Sequence, residues 1–247
     1  MDRQFPRLVI RRDKLRNNFT QIVSRCRACG INVAGVIKGV GGLPEIARLY
    51  KECGAAQLAT SRLEQIELWR REGVDGPFLL LRVPGMSELE SLPHLADYSL
   101  QSDVSTLNAL ENVCARQNLT HKVILMADLG DLREGFWDKA EMIRACCHVE
   151  WELPHLVLAG VGVNLGCYGS IVPTPANLGQ LVDIARAVEE QIGRKLEIVS
   201  GGATSSYPLV HRGVMPAGIN HLRIGEAALL AKDLQVDWGI PDMAYLQ

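Results

Sequence analysis

The sequence predicts an α/β fold, and within it a (β/α)8 TIM barrel that runs through residues 1–247 as one domain. Three observations carry this expectation. Short β-like runs alternate with helix-periodic stretches along the whole chain. Several of those runs are almost continuously apolar, as strands of a parallel sheet buried on both faces must be. Finally, 247 residues accommodate eight strand–helix units and come close to the usual size of such a barrel. An open, doubly wound sheet would want a glycine fingerprint in its first turn. The run "GVGVNLG" (Gly160 to Gly166) has the wrong spacing for one and lies far along the chain.

The elements follow in order. "RLVI" (Arg7 to Ile10) reads as an opening strand, followed by a helix from about Asp13. Leu15, Phe19, Ile22, Val23 and Cys26 fall on one face of that helix, and Gly30 stands where a C-cap belongs. Then come "VAGVIKGV", "AQLATS", "FLLLRV", "YSLQS", "KVILMADLG", "LVLAGVGVNLG" and "LEIVSGG", most followed by a helical pattern. The eighth, "HLRIGEAALLA", is strand-like at its start and helical after Glu226.

Apolar residues make up 47% of the chain and charged residues 22%, enough to bury a large core. The net charge is −2 with no long run of like charge, so nothing points to nucleic acid or a membrane surface as a partner. No apolar stretch is long enough to span a bilayer, and "MDRQFPRLVI" is too short in apolar residues for a signal peptide. The sequence therefore reads as soluble and cytoplasmic. Seven scattered cysteines suit a reducing compartment. Cys26 and Cys29 form a C-x-x-C, but no second ligand pair stands at matched spacing, so no metal site is expected. The six histidines show no H-E-x-x-H spacing.

In a barrel, functional groups collect at the carboxyl ends of the strands. Those ends supply Lys38, Ser61, Arg62, Arg82, Gln101, Ser102, Asp128, Arg133, Asn164, Ser205, Ser206 and Arg223, a polar crown around one lysine. Alone, Lys38 reads best as a snorkelling strand-end lysine. In a partly desolvated barrel mouth the neutral amine is favoured, and a neutral amine is the nucleophile for a Schiff base. The glycines after it, "GVGG", would leave room for a flat ring, and the arginines could receive anionic groups. "SGGATSS" and "RIGEA", after the seventh and eighth strands, occupy the loops where barrels often bind phosphate.

From about Arg7 to Leu230 these blocks, in this order, resemble the barrel domain of alanine racemase-like proteins (fold type III). Within them the resemblance is to the ornithine racemase group of predicted amino-acid racemases. The resemblance implies pyridoxal 5'-phosphate as cofactor, with "VAGVIKG" supplying Lys38 for the Schiff base. "DLGDLREGF" resembles the family's D-x-G-x-x-R-x-G-F and implies Arg133 near the cofactor phenolic oxygen and the substrate carboxylate. "GVGVNLGCYG" implies that Asn164 packs against the ring. "GGATSS" implies Thr204, Ser205 and Ser206 at the phosphate. "LRIGEA" implies Arg223 at the pyridine nitrogen and the backbone N–H groups of Gly225 and Glu226 at the phosphate.

Two departures stand out. The family's second base is a tyrosine from a carboxyl-terminal β domain of the other subunit, and this chain stops at Gln247 with no room for that domain. A tyrosine that usually follows the family lysine is absent from "KGVGG". Cys167 and Tyr168 are the candidate substitutes for the second base. The activity that the resemblance implies is racemisation of an amino acid, a basic one such as ornithine or lysine. The alternative is a non-catalytic pyridoxal-phosphate-binding homeostasis protein of the same superfamily. An unpaired "RLVI" edge suggests truncation, or a homodimer that covers it.

Overall fold

A computed structural model describes residues 9–166 and 171–244. Parallel strands close into a barrel in chain order: β1 (Asn32–Val36), β2 (Gln57–Thr60), β3 (Phe78–Leu80), β4 (Tyr98–Gln101), β5 (His121–Ala127), β6 (Leu156–Val163), β7 (Ile198–Ser200) and β8 (His221–Ile224). The ring is completed by β8 pairing with β1, Ala34 opposite Arg223. The helices outside it are α1 (Arg12–Ala28), α2 (Pro44–Glu52), α3 (Leu63–Arg71), α4 (Leu92–Leu95), α5 (Val104–Gln117), α6 (Lys139–Glu152), α7 (Pro175–Ile192), α8 (Tyr207–His211) and α9 (Glu226–Leu229).

Helix α1 buries Leu15, Phe19, Ile22, Val23 and Cys26, the face that the sequence periodicity marks. It ends in a Schellman turn: the Ile31 N–H donates to Cys26 O at 2.9 Å, and Gly30 takes φ 73°. Phe19 stacks on Tyr50 of α2 with ring centroids 3.9 Å apart. A Cβ on Gly35 would sit 2.5 Å from the Tyr50 ring, so β1 carries glycine where these helices press on it. The opening strand does not form in the described part of "RLVI". Val9 and Ile10 are irregular, and Arg7 and Leu8 lie outside the described residues. Val9 and Ile10 pair with no strand among the described residues, and the barrel itself offers no free edge, since β1 already pairs on both sides. The eighth run also turns earlier than its pattern suggests, with α9 ending at Leu229 and Ala231 at φ 49°.

The core has two layers. The larger lies between strands and helices; the smaller fills the barrel with Ala34, Val36, Ala59, Leu79, Leu100, Ile124 and Met126 among others. Gln57, Ser200, His221 and Arg223 share strand parity with that inner layer, so polar groups occupy part of the barrel interior. The pairing of β5 and β6 slips between Val123 and Ile124, beside Gly160. There a Cβ would lie 1.8 Å from Ile198 O, so the close approach of β6 to β7 admits only glycine.

Candidate active site

At the carboxyl end of the barrel, β1 stops at Val36 and a single turn of 3-10 helix, Lys38–Val40, carries Lys38 to the rim. Lys38 is exposed there, and the sheltering expected for it is absent. The following glycines shape the turn. Gly41 and Gly42 take φ 66° and 73°, Gly42 O accepts from Trp69 Nε1 at 2.6 Å, and Gly39 packs on Leu229.

The loop after β5 explains its motif residue by residue. Asp128 ties the first turn of the loop, its Oδ1 accepting from the N–H groups of Gly130 and Leu132 at 2.9 and 3.1 Å. Phe136 returns to the strand end, its N–H donating to Met126 O at 2.8 Å, and buries its ring. Gly135 has φ 124°, and a Cβ there would lie 2.5 Å from Ala127 C and Asp128 N. The loop thereby folds back tightly enough to hold Arg133 at the cavity. Glu134 pairs with Arg133 Nε at 3.1 Å and accepts from Asn164 Nδ2.

Arg223 is buried, 3% exposed, and hydrogen-bonded within the barrel. It donates to Val163 O at 2.8 Å, to Asn164 Oδ1 and to Ser200 Oγ. Ser200 Oγ lies 2.7 Å from His221 Nδ1, and His221 Nε2 lies 3.1 Å from Gln57 Oε1. Burial, with the Arg223 charge nearby, pushes the His221 pKa down to about 3, so the ring is neutral. A neutral ring donating from Nε2 to Gln57 must accept at Nδ1, which directs the Ser200 proton to His221 and its lone pair to Arg223.

In the loop after β7, Thr204 Oγ1 accepts from the Ala227 N–H at 3.1 Å, which keeps the hydroxyl proton available to donate. Ser205 Oγ donates to Leu165 O at 2.6 Å. Ser206 departs from the expected arrangement. It is fully buried against Gly202, its hydroxyl has no partner among the described residues, and it is not part of the cavity wall. The short turn Thr204–Ser206 points its middle residue, Ser205, to the cavity and its last inward.

These groups enclose a cavity of about 270 Å³. Lys38, Arg133, Asn164, Thr204, Ser205, Arg223, Gly225 and Glu226 all line it, with Val36, Leu81 and Leu100 as apolar walls. Asp233 and Trp238 also line it and were not anticipated, because the stretch after α9 has no recognisable pattern. Burial and the neighbouring Asp233 push the Glu226 carboxyl above its ordinary range. Arg82 is not part of the wall. Its guanidinium forks onto Glu88 (2.6 and 2.5 Å) and donates to Ser61 O at 2.7 Å. Ser61, Arg62, Gln101, Ser102 and Asp128 also stand outside the wall. Cys167 and Tyr168 lie outside the described residues, directly after the cavity residue Gly166. Of the C-x-x-C pair, Cys26 is buried in α1, its thiol pushed up to about 12, and Cys29 is exposed.

A closed parallel barrel that gathers an amine, two guanidiniums and a hydroxyl turn around one cavity at its carboxyl end is the class that the fold and the site define. The comparisons narrow that class. The family model for the N-terminal domain of alanine racemase matches residues 10–233, and the chain belongs to that family. Lysine racemase of Thermotoga maritima is 37% identical over 241 residues, 95% of this chain and 66% of that protein. Ornithine racemase of Acetoanaerobium sticklandii is 35% identical over 229 residues, 93% of this chain and 64% of that protein. The chain thus spans slightly under two thirds of the length of these relatives. The crystal structure of D-threonine aldolase from Filomicrobium marinum has the same fold, with a TM-score of 0.80 at 20% identity, covering 99% of this chain and 67% of that one. Among the described residues, no helix is long and apolar enough to cross a membrane.

Proposed function

We propose that this chain is the cofactor-binding barrel of a pyridoxal-phosphate-dependent amino-acid racemase acting on a basic amino acid of the lysine or ornithine kind. One observation carries the reading: a single cavity gathers Lys38, Arg133, Arg223 and the Thr204–Ser205 turn. The substrate class rests on the likeness to lysine racemase and ornithine racemase.

The donor set suits the cofactor. Lys38 is an exposed primary amine on the cavity wall, in reach of an aldehyde entering from solvent. Thr204 retains a hydroxyl proton for a phosphate oxygen, and the backbone N–H groups of Gly225 and Glu226 are the further donors we assign to it. The Glu226 side chain plays no part in that binding, since its carboxylate would repel the phosphate. Pyridoxal phosphate, when bound, supplies an electron sink that acidifies the Cα–H of an amino acid.

The chain's own residues do the rest. Lys38 Nζ is the attachment point for the aldehyde and the base that takes and returns a proton at Cα on its face. Arg223 only donates, so a ring nitrogen facing it stays unprotonated, which favours simple proton exchange. Arg133 receives the substrate carboxylate. Leu81, Leu100 and Trp238 give the cavity apolar walls that limit water. Inversion needs a second proton carrier on the opposite face, and we assign it to Tyr168 or Cys167, which follow Gly166 at the wall.

The test is Cα exchange in D₂O with the cofactor-loaded protein and single enantiomers of lysine, ornithine, alanine and serine. Exchange with inversion of lysine or ornithine is expected. Binding of the cofactor without any exchange would overturn the racemase and leave the non-catalytic binding protein.

A further inference from the structure

Arg133 and Arg223 reach the cavity from β5 and β8, on different parts of the ring, yet one line of side chains joins them. Arg133 Nε lies 3.1 Å from one Glu134 oxygen. Asn164 Nδ2 donates to the other Glu134 oxygen, and Asn164 Oδ1 accepts from Arg223. The order of partners admits one arrangement. An ionised carboxylate only accepts and a guanidinium only donates, so the amide must turn its nitrogen to Glu134 and its oxygen to Arg223. The Glu134 side chain is 20% exposed, which places these charges where solvent screens them less than at an open surface.

We propose that Glu134 is a positioning residue for both cavity arginines, acting directly on Arg133 and through the Asn164 amide on Arg223. The proposal rests on the reading that these arginines meet the substrate carboxylate and the cofactor ring. Glu134 removes rotamer freedom from Arg133, so a carboxylate binds a side chain that is already ordered. It also fixes which end of Asn164 faces Arg223; a flipped amide would set donor against donor.

Glu134→Gln tests this in the full chain. The amide keeps the size but removes the charge that pairs with Arg133, whichever way its NH₂ group turns between Arg133 and Asn164 Nδ2. The expected result is a rise of about tenfold in KM for lysine or ornithine, with kcat changed by less than about threefold. Affinity for pyridoxal phosphate, followed by absorbance titration, falls several-fold. In ¹⁵N relaxation of the unloaded protein the Arg133 Nε–H, assigned with Arg133→Lys, shows a lower order parameter than in wild type. A melting temperature close to wild type excludes general unfolding, and Glu134→Asp restores part of the order. If Glu134→Gln leaves the Arg133 Nε–H as ordered as in wild type, the proposal is wrong. Failure of the wild type to bind the cofactor would sink the functional reading instead, and the Nε–H measurement would still judge the anchoring.

Discussion

Lys38 stands exposed on a one-turn 3-10 segment, and the role proposed for it depends on reach rather than on burial. Lys38→Ala should lose all covalent pyridoxyl after borohydride reduction, read by intact mass; adduct retained at the wild-type level would exclude the assignment. Thr204 bridges two loops, accepting from Ala227 while its proton stays free. Thr204→Val should weaken pyridoxal phosphate binding roughly tenfold by removing that donor and orphaning a buried N–H, which equilibrium titration measures. Tyr168→Phe and Cys167→Ser separate the two candidates for the second proton carrier. Whichever is the carrier should abolish inversion while Cα exchange continues with retention on the Lys38 face, and two variants that both racemise normally would clear both residues.

At the scale of the element, the loop Asp128 to Phe136 decides where Arg133 stands. Asp128 ties its first turn and Phe136 re-pairs with the end of β5, while Gly135 accepts a backbone contact that no side chain allows. Gly135→Ala should destabilise the fold by about 2–4 kcal/mol through the strained φ and the clash with Ala127 and Asp128. Urea unfolding measures that loss. The same variant should raise KM, since a displaced loop carries Arg133 with it, and a stable variant with normal KM would contradict this account.

For the whole molecule, the buried histidines make stability depend on acidity. Burial pushes His121 down to about 4 and His221 to about 3, both below the ordinary value of 6.5. The unfolded chain therefore binds protons that the folded chain refuses once the pH drops below about 6.5. Stability from these groups is complete above that pH and is lost as the pH falls toward 4 and then 3, by an amount on the order of several kcal/mol. Urea midpoints at pH 7 and pH 5 should show a clear drop, and His221→Asn should shrink it. Equal midpoints would mean that His221 and His121 are not buried neutral.

The amino-acid sequence by itself determined the barrel, because alternation of apolar runs with helical periods depends only on local pattern. It also determined that Lys38, Arg133, Asn164, Thr204, Ser205 and Arg223 belong at strand ends, since each follows a legible run. The tertiary structure decided what those side chains meet. Arg82 left the crown because Glu88 stands within reach of its fork, and Ser206 turned inward because the 3-10 turn rotates it away. "RLVI" reads as a strand on pattern alone, but the described Val9 and Ile10 find no edge on a ring that has closed. Ser200 and His221, and the contact of Glu134 with Asn164, gave no signal in sequence, because those partners belong to different strands or the loops after them, and only closure of the ring brings them together.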